Sequence, residues 1–263
     1  MDLGLRGKVA LVAAASKGLG RATAHELAAE GASVVICARG NHALIAAQNE
    51  IAAATKADVV AISGDVTVEE DVNRIVNTAI ERFGRIDILV TNAGGPPSGR
   101  FENLTFEMWR SAVDLTLMSV INLAARVVPG MKERKWGRII NITSIAVKQP
   151  VDGLMLSNSL RSAVTGFART LANEVATHGI TVNNILPGYT RTERVEQLSH
   201  ATAQREGITR DAAVGRWEAE IPMRRLGEPQ EFGALAAFLA SERASYITGQ
   251  SIAVDGGWIK ALL

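Results

Sequence analysis

The chain has 263 residues, 47% of them apolar, enough for the buried core of one large α/β domain. Its formal net charge of +1 excludes the strongly basic balance of a nucleic-acid-binding face, and its single cysteine, Cys37, excludes an internal disulfide framework and fits a reducing compartment. The N-terminal MDLGLRGKVA lacks a signal-peptide layout and no apolar run looks long enough to span a bilayer, so a cytoplasmic protein without a membrane partner is expected.

Lys8 to Gly31 is the stretch around which the rest is organised. Val9–Ala14 is a short apolar run of the kind buried on both faces of a sheet. Ser16, Lys17, Gly18, Leu19 and Gly20 follow, and Arg21–Glu30 reads as an Ala-rich helix ended by Gly31. A strand, a small-residue turn and a helix N-terminus present free N–H groups and a favourable dipole to an anion. The alternative is a tight turn without a ligand; the β–α rhythm of the whole chain favours the ligand.

Ser33–Ala38 then reads as a strand, Asn41–Thr55 as a helix, Asp58–Ser63 as a strand, and Thr67–Arg82 as a helix with acidic residues in its first turn. Ile86–Thr91 is a strand broken by Asn92-Ala-Gly-Gly-Pro-Pro, and Thr105–Glu133 holds one long helix or two. Arg138–Thr143 is a strand, Gly153–Thr177 a helix, and Ile180–Leu186 a strand broken by Pro187-Gly188. Glu228–Ser241 is a helix and Gln250–Val254 the last strand. Seven strands with helical crossovers predict a Rossmann-type, doubly wound parallel sheet in three α/β/α layers, one domain over residues 1–263. Ligands of such a sheet lie beyond the carboxyl ends of the strands, where each breaker cluster falls. The charged stretch Arg191–Pro222 departs from the rhythm. It reads either as a solvated helix pair or as a lid-like segment, at about 191–222, over the crevice.

Several motifs recur in a fixed order. After the glycine turn come Asp65-Val66, Asn92-Ala93-Gly94, Ile139-Ile-Asn-Ile-Thr-Ser144, and Val182-Asn-Asn-Ile-Leu-Pro-Gly188 with Thr190 and Thr192 just beyond. Ile247-Thr-Gly-Gln and Val254-Asp-Gly-Gly257 close the chain. Taken together they resemble the short-chain dehydrogenase/reductase family over nearly the whole length, in its β-ketoacyl carrier-protein reductase branch. The resemblance implies a nicotinamide dinucleotide held by Ser16, Lys17, Gly18, Leu19 and Gly20, by Asp65 and Val66 at the adenine, and by Asn92, Ala93, Gly94, Pro187, Gly188, Thr190 and Thr192. It implies a small-molecule substrate, an acyl thioester among the candidates. It also implies a homotetramer paired through the two long helices, which the apolar end Trp258–Leu263 would help to bury.

The cofactor is expected to be NADP(H). An NAD site needs an acidic residue at the end of the second strand to hold the ribose 2′-OH. Ala38 stands there, Arg39 follows, and Lys17 is near enough for two cations to clamp a 2′-phosphate. Arg39 as a mere surface residue is the alternative.

The departures from the family pattern are at the chemistry. The turn's Thr-Gly is replaced by Ala13 and Ala14, one methyl more beside the phosphates. The family places a Ser beside Tyr-x-x-x-Lys and adds an Asn from the preceding long helix. Ser144 matches the Ser; ungapped counting puts Ser157 at the Tyr, Arg161 at the Lys and Asp114 at the Asn. Spacing of four keeps Ser157 and Arg161 on one helix face. A serine is a far weaker acid than a phenol of pKa about 10. Arg holds its charge and cannot relay a proton, yet it can hold a ribose and stabilise an oxyanion. Loss of a positioned general acid costs about 10²–10⁴ in rate.

Tyr189, at the mouth after Pro187-Gly188, is either a surrogate acid or packing under the lid; Tyr246 reads as core or interface. Lys148 and Asp152 read as exposed, and Asp114 as a water anchor, a partner of Arg161 or a simply buried, hydrogen-bonded group. His25, His42, His178 and His200 are scattered without metal-ligand spacing, so no metal is expected. Two functions compete: an NADP(H)-dependent oxidoreductase with unusual acid chemistry, and a nucleotide-binding scaffold or sensor without turnover.

Overall fold

In a computed structural model, which describes residues 2–262, seven parallel strands form one sheet in the order β3-β2-β1-β4-β5-β6-β7. The strands are β1 (Val9–Ala13), β2 (Ser33–Ala38), β3 (Val59–Ser63), β4 (Ile88–Thr91), β5 (Gly137–Ile142), β6 (Ile180–Pro187) and β7 (Ser251–Val254). Alternate residues of each strand feed opposite layers. Ala10 and Val12 of β1 join Val34, Ile36, Val90 and Ile140 under α1 (Gly18–Ala29), α2 (Asn41–Thr55) and α9 (Pro229–Ala240). Leu11 and Ala13 join Val35, Leu89, Ile139 and Val182 under α3 (Glu69–Phe83), α5 (Ser119–Arg134) and α6 (Met155–Val175). Burial on both faces is why the strands read as unbroken apolar runs rather than as alternating ones.

One polar string crosses this apolar sheet. Thr91, Asn141, Asn184 and Ser251 sit in register on β4, β5, β6 and β7. Thr91 Oγ1 donates to Asn141 Oδ1 (2.7 Å), Asn141 Nδ2 to Asn184 Oδ1 (3.0 Å), and Asn184 Nδ2 to Ser251 Oγ (3.1 Å). A slip of one residue would bury these amides without partners, so the string holds the strands' register beneath the cleft.

Strand order reverses between β2-β1 and β4-β5, so the crevice opens above β1 and β4. The first helix starts earlier than its sequence suggests, at Gly18 rather than Arg21. Gly18, Leu19 and Gly20 are therefore its first turn, and the true connection is Ala14–Lys17. The one or two helices expected over Thr105–Glu133 are α4 (Phe106–Val113) and α5, joined by a π-helical turn, Asp114–Met118. Phe106–Arg134 contains an 18-residue window of mean hydropathy 1.5, long and apolar enough to cross a membrane by length and composition, which the sequence reading overlooked. In this fold Leu123, Ala124, Val127, Val128 and Met131 of that stretch are core residues. The 191–222 segment holds two helices, α7 (Glu193–Glu206) and α8 (Arg210–Glu220), standing over the carboxyl ends of the strands. A small apolar cluster of Ile145, Leu186, Val195, Ile221, Leu226 and Trp258 lies beneath them.

Candidate active site

A cleft of about 670 Å³ runs along the carboxyl edge of the sheet from Ala38 and Arg39 to Ser157 and Arg161. At its first end Ala38, Arg39, Gly40, Gly64, Asp65 and Val66 form the wall. The Arg39 side chain is 77% exposed and its Nη1 stands 4.0 Å from an Asp65 carboxylate oxygen, so the guanidinium is free to swing to a ligand.

The connection after β1 supplies Ala14, Ser16, Lys17, Gly18 and Leu19. No side chain caps the first turn of α1, which leaves its leading N–H donors facing the cleft. Ala14 holds φ +48°, the left-handed region in which a side chain is strained. Its carbonyl lies against Gly20, where any Cβ would collide with that oxygen. Gly20 itself does not reach the cleft: its role is close packing behind the turn, a correction to its expected ligand contact. The Lys17 ammonium pairs with Glu193 at the start of α7, but both side chains are more than half exposed, so this is a weak surface contact that leaves Lys17 able to join Arg39 at a 2′-phosphate.

Asn92, Ala93 and Gly94 after β4, and Pro187, Gly188, Thr190 and Thr192 after β6, complete the middle of the cleft. Asn92 Nδ2 reaches the Ala14 carbonyl at 3.5 Å and so spans the two strands at the topological switch.

Ser144, Ser157 and Arg161 meet at the far end. Ser144 caps a short 3₁₀ turn, Ile145–Val147, its Oγ accepting from the Ala146 N–H at 3.1 Å. Ser157 is 7% exposed and its Oγ accepts from Arg161 Nε at 3.2 Å. Both hydroxyls therefore have an acceptor lone pair engaged and an O–H left to donate. Arg161 also donates through Nη1 to the Ile142 carbonyl (2.8 Å) and through Nη2 to the Gly94 carbonyl (2.5 Å). It braces α6 against the ends of β4 and β5, and two of its five N–H donors remain. Burial and the nearby Arg194 guanidinium push its pKa down to about 10, so it is a cation at neutral pH.

Two sequence expectations are corrected here. Asp114 is exposed and outside the cleft. The π turn packs Thr116, 6% exposed, against the hollow shared with Asn92, Gly94 and Arg161. The ungapped count from the flanking motifs stopped two residues short of Thr116; the signal available was a polar residue interrupting Leu115-Thr-Leu. Tyr189 lines the cleft but stacks on Trp217 (ring centroids 4.6 Å apart) and sits edge-on to Trp258 (6.1 Å). Burial, with help from Glu220, pushes its pKa up to about 12, so it packs beneath α8 and is a poorer acid than a free phenol. Trp258 itself is buried in its own chain, its Nε1 donating to Glu220 at 3.2 Å, whereas Leu262 of the same apolar end is fully exposed; Leu263 lies outside the described residues. The residue that sequence reasoning missed outright is Arg194, on the cleft wall opposite Arg161. Among the described residues no His, Cys, Asp and Glu group could hold a metal ion.

Comparison with known proteins agrees with this fold. The family model for enoyl-(acyl carrier protein) reductase matches residues 13–259. The chain is similar to a 3-oxoacyl-[acyl-carrier-protein] reductase from Synechocystis sp., at 36% identity over 97% of this chain and 98% of that protein. It is likewise similar to the NADPH-dependent reductase BacG from Bacillus subtilis, at 32% identity over 97% of this chain and 99% of that one. Among solved structures, L-sorbose reductase from Gluconobacter frateurii, complexed with NADPH and L-sorbose, superposes with a TM-score of 0.94, at 34% identity and full coverage of both chains.

Proposed function

The chain belongs to the short-chain dehydrogenase/reductase family, and from that premise we propose that it is an NADP(H)-dependent oxidoreductase acting on a carbonyl or alcohol, in the manner of the 3-oxoacyl carrier-protein reductases. The observation that carries this reading is the unbroken cleft: exposed Arg39 at one end, uncapped N–H donors of α1 midway, and Ser144, Ser157 and Arg161 at the other end. Those features suit, in order, a 2′-phosphate, a pyrophosphate and a nicotinamide riboside beside a reacting carbonyl. When bound, the cofactor supplies or accepts the hydride. This chain's residues do the rest. Arg161 holds the ribose with its two spare donors. Ser144 and Ser157 donate to the carbonyl oxygen, and the Arg161 charge one bond away offsets the negative charge that grows there. With no phenol in place, the proton that completes an alcohol comes from water through a serine O–H, at a slower rate than a tuned acid would give.

The specific observation favouring a nucleotide-binding scaffold instead is the packing of Tyr189, which removes the one phenol near the site. One experiment separates the two readings: titration with NADPH and NADH, followed by NADPH oxidation against carbonyl compounds that include a 3-oxoacyl thioester. NADPH should bind more tightly than NADH, and Arg161→Ala should weaken its binding by about 1.5–3 kcal/mol. Tighter NADH binding sinks the NADP(H) assignment; binding without oxidation of any carbonyl favours the scaffold.

The same reading includes a homotetramer and a reducing, cytoplasmic setting. Phe106 is 85% exposed and Phe101 69%, an apolar patch beside the long helices through which the family pairs its subunits. Sedimentation at micromolar concentration tests it, a stable monomer being the adverse result. No nucleic-acid or membrane partner is proposed.

A further inference from the structure

We propose that the substrate taken by this site is an oxo acid, its free carboxylate held at the far end of the cleft by Arg194 of α7 with Arg161 behind it. The proposal rests on the hydride-transfer reading above and narrows its substrate from any carbonyl compound to an anionic one.

Three observations carry it. First, the two guanidiniums grip one loop from two sides. Arg161 Nη2 bonds the Gly94 carbonyl at 2.5 Å, and Arg194 Nη2 bonds the Pro96 carbonyl at 2.9 Å. Gly95 lies between them, so close that a Cβ there would stand 3.1 Å from Arg194 Nε. Second, neither cation has a carboxylate partner among the described residues. Other arginines drawn into the fold do: Arg138 has Glu242, Arg134 has Asp87, and Arg126 has Glu69. Among the described residues the cleft's acids are Asp65, at the opposite end, and Glu193, which faces Lys17 and pairs with neither arginine. Third, Arg194 is placed against its own interest. It is the second residue of α7, where the helix dipole disfavours a cation, and it faces another guanidinium.

Two like charges gathered in a half-buried site without a counter-ion destabilise the protein unless something recovers the loss. A carboxylate does so, and a planar guanidinium is matched to it in bidentate geometry. The remaining wall is apolar, with Leu115, Val151, Leu154, Val195 and Leu198. The fitted ligand therefore carries one carboxylate on an apolar body, with its carbonyl turned to Ser144 and Ser157. A carrier-bound thioester, neutral at that position, would leave Arg194 without a counter-ion.

The test uses the NADPH-loaded full chain and two matched probes, benzoate and the neutral benzamide, titrated by calorimetry. Benzoate should bind at least tenfold more tightly than benzamide. Arg194→Gln should erase that preference, Arg194→Lys should restore part of it, and both variants should hold NADPH within twofold of the parent. Equal binding of the two probes, or a benzoate affinity untouched by Arg194→Gln, overturns the proposal. So does a loss of NADPH affinity in both Arg194 variants, because Arg194 would then serve the cofactor. Failure of the parent to bind NADPH at all is a separate result, and it removes the hydride-transfer reading together with this one.

Discussion

At the scale of single residues, Ala14 and Tyr189 show how a replacement is absorbed. Ala14 keeps the left-handed backbone, φ +48°, that the turn demands, although its side chain opposes it. Gly at this position relieves that strain and gives back part of the gain as unfolded-chain entropy. Ala14→Gly is expected to raise stability by about 0.5–1 kcal/mol in urea unfolding; an unchanged or lower midpoint would show that the strain is already relaxed. Tyr189 is held between Trp217 and Trp258 with its hydroxyl pKa driven upward, so its ring matters and its proton does not. Tyr189→Phe should leave kcat within about twofold, whereas removing a true general acid costs about 10²–10⁴. A loss of that size would reinstate Tyr189 as the proton donor.

At the scale of elements, the molecule divides by how much each one buries. Helix α5 commits seven residues to the interior; α7 commits Val195 and Ser199, and α8 only Ala213. Elements with few buried contacts open locally at low cost. Amides of α7 and α8 should exchange with deuterium well before those of α5 and slow on addition of NADPH. Equal protection of α7 and α5 without cofactor would count against a moving lid. The string Thr91–Asn141–Asn184–Ser251 makes the opposite prediction for the strands beneath. Asn141→Ala strands the Thr91 hydroxyl and the Asn184 carbonyl oxygen inside the sheet. It should cost about 1–3 kcal/mol in chemical unfolding, the desolvation penalty of an orphaned polar group. A change below a few tenths would mean that water replaces the amide.

At the scale of the whole molecule, Cys37 reports on the integrity of the sheet. It is fully buried on β2, and burial pushes its thiol pKa up to about 12 from 9.0. The folded state therefore keeps the proton that the unfolded chain gives up. This contribution to stability is complete below pH 9 and declines as pH rises toward 12. At pH 8 a disulfide reagent should leave the native thiol untouched and react at a rate set by global unfolding in urea. Rapid labelling of the native protein would show that the centre of the sheet opens without unfolding.

How much of this was legible in one dimension depends on the range of the forces involved. The seven strands, most of the helices and the anion-binding first turn follow from local patterns: apolar runs, small-residue turns and terminal charges within a few residues of one another. Ser144, Ser157 and Arg161 could be placed by ungapped counting, because the motifs on either side of them lie close along the chain. Counting failed at Asp114: the ungapped register fell two residues short, and the fold brings Thr116 to the site instead. It was also silent on Arg194, one arginine among several in a charged segment. Only the packing of α7 over the sheet carries that side chain to the loop held by Arg161, and only there does the absence of a counter-ion become a statement about chemistry. Sequence by itself determined the scaffold and the line of the cleft across it. The tertiary structure decided which charges face one another at the end of that path, because electrostatic partnership depends on distance through space rather than along the chain.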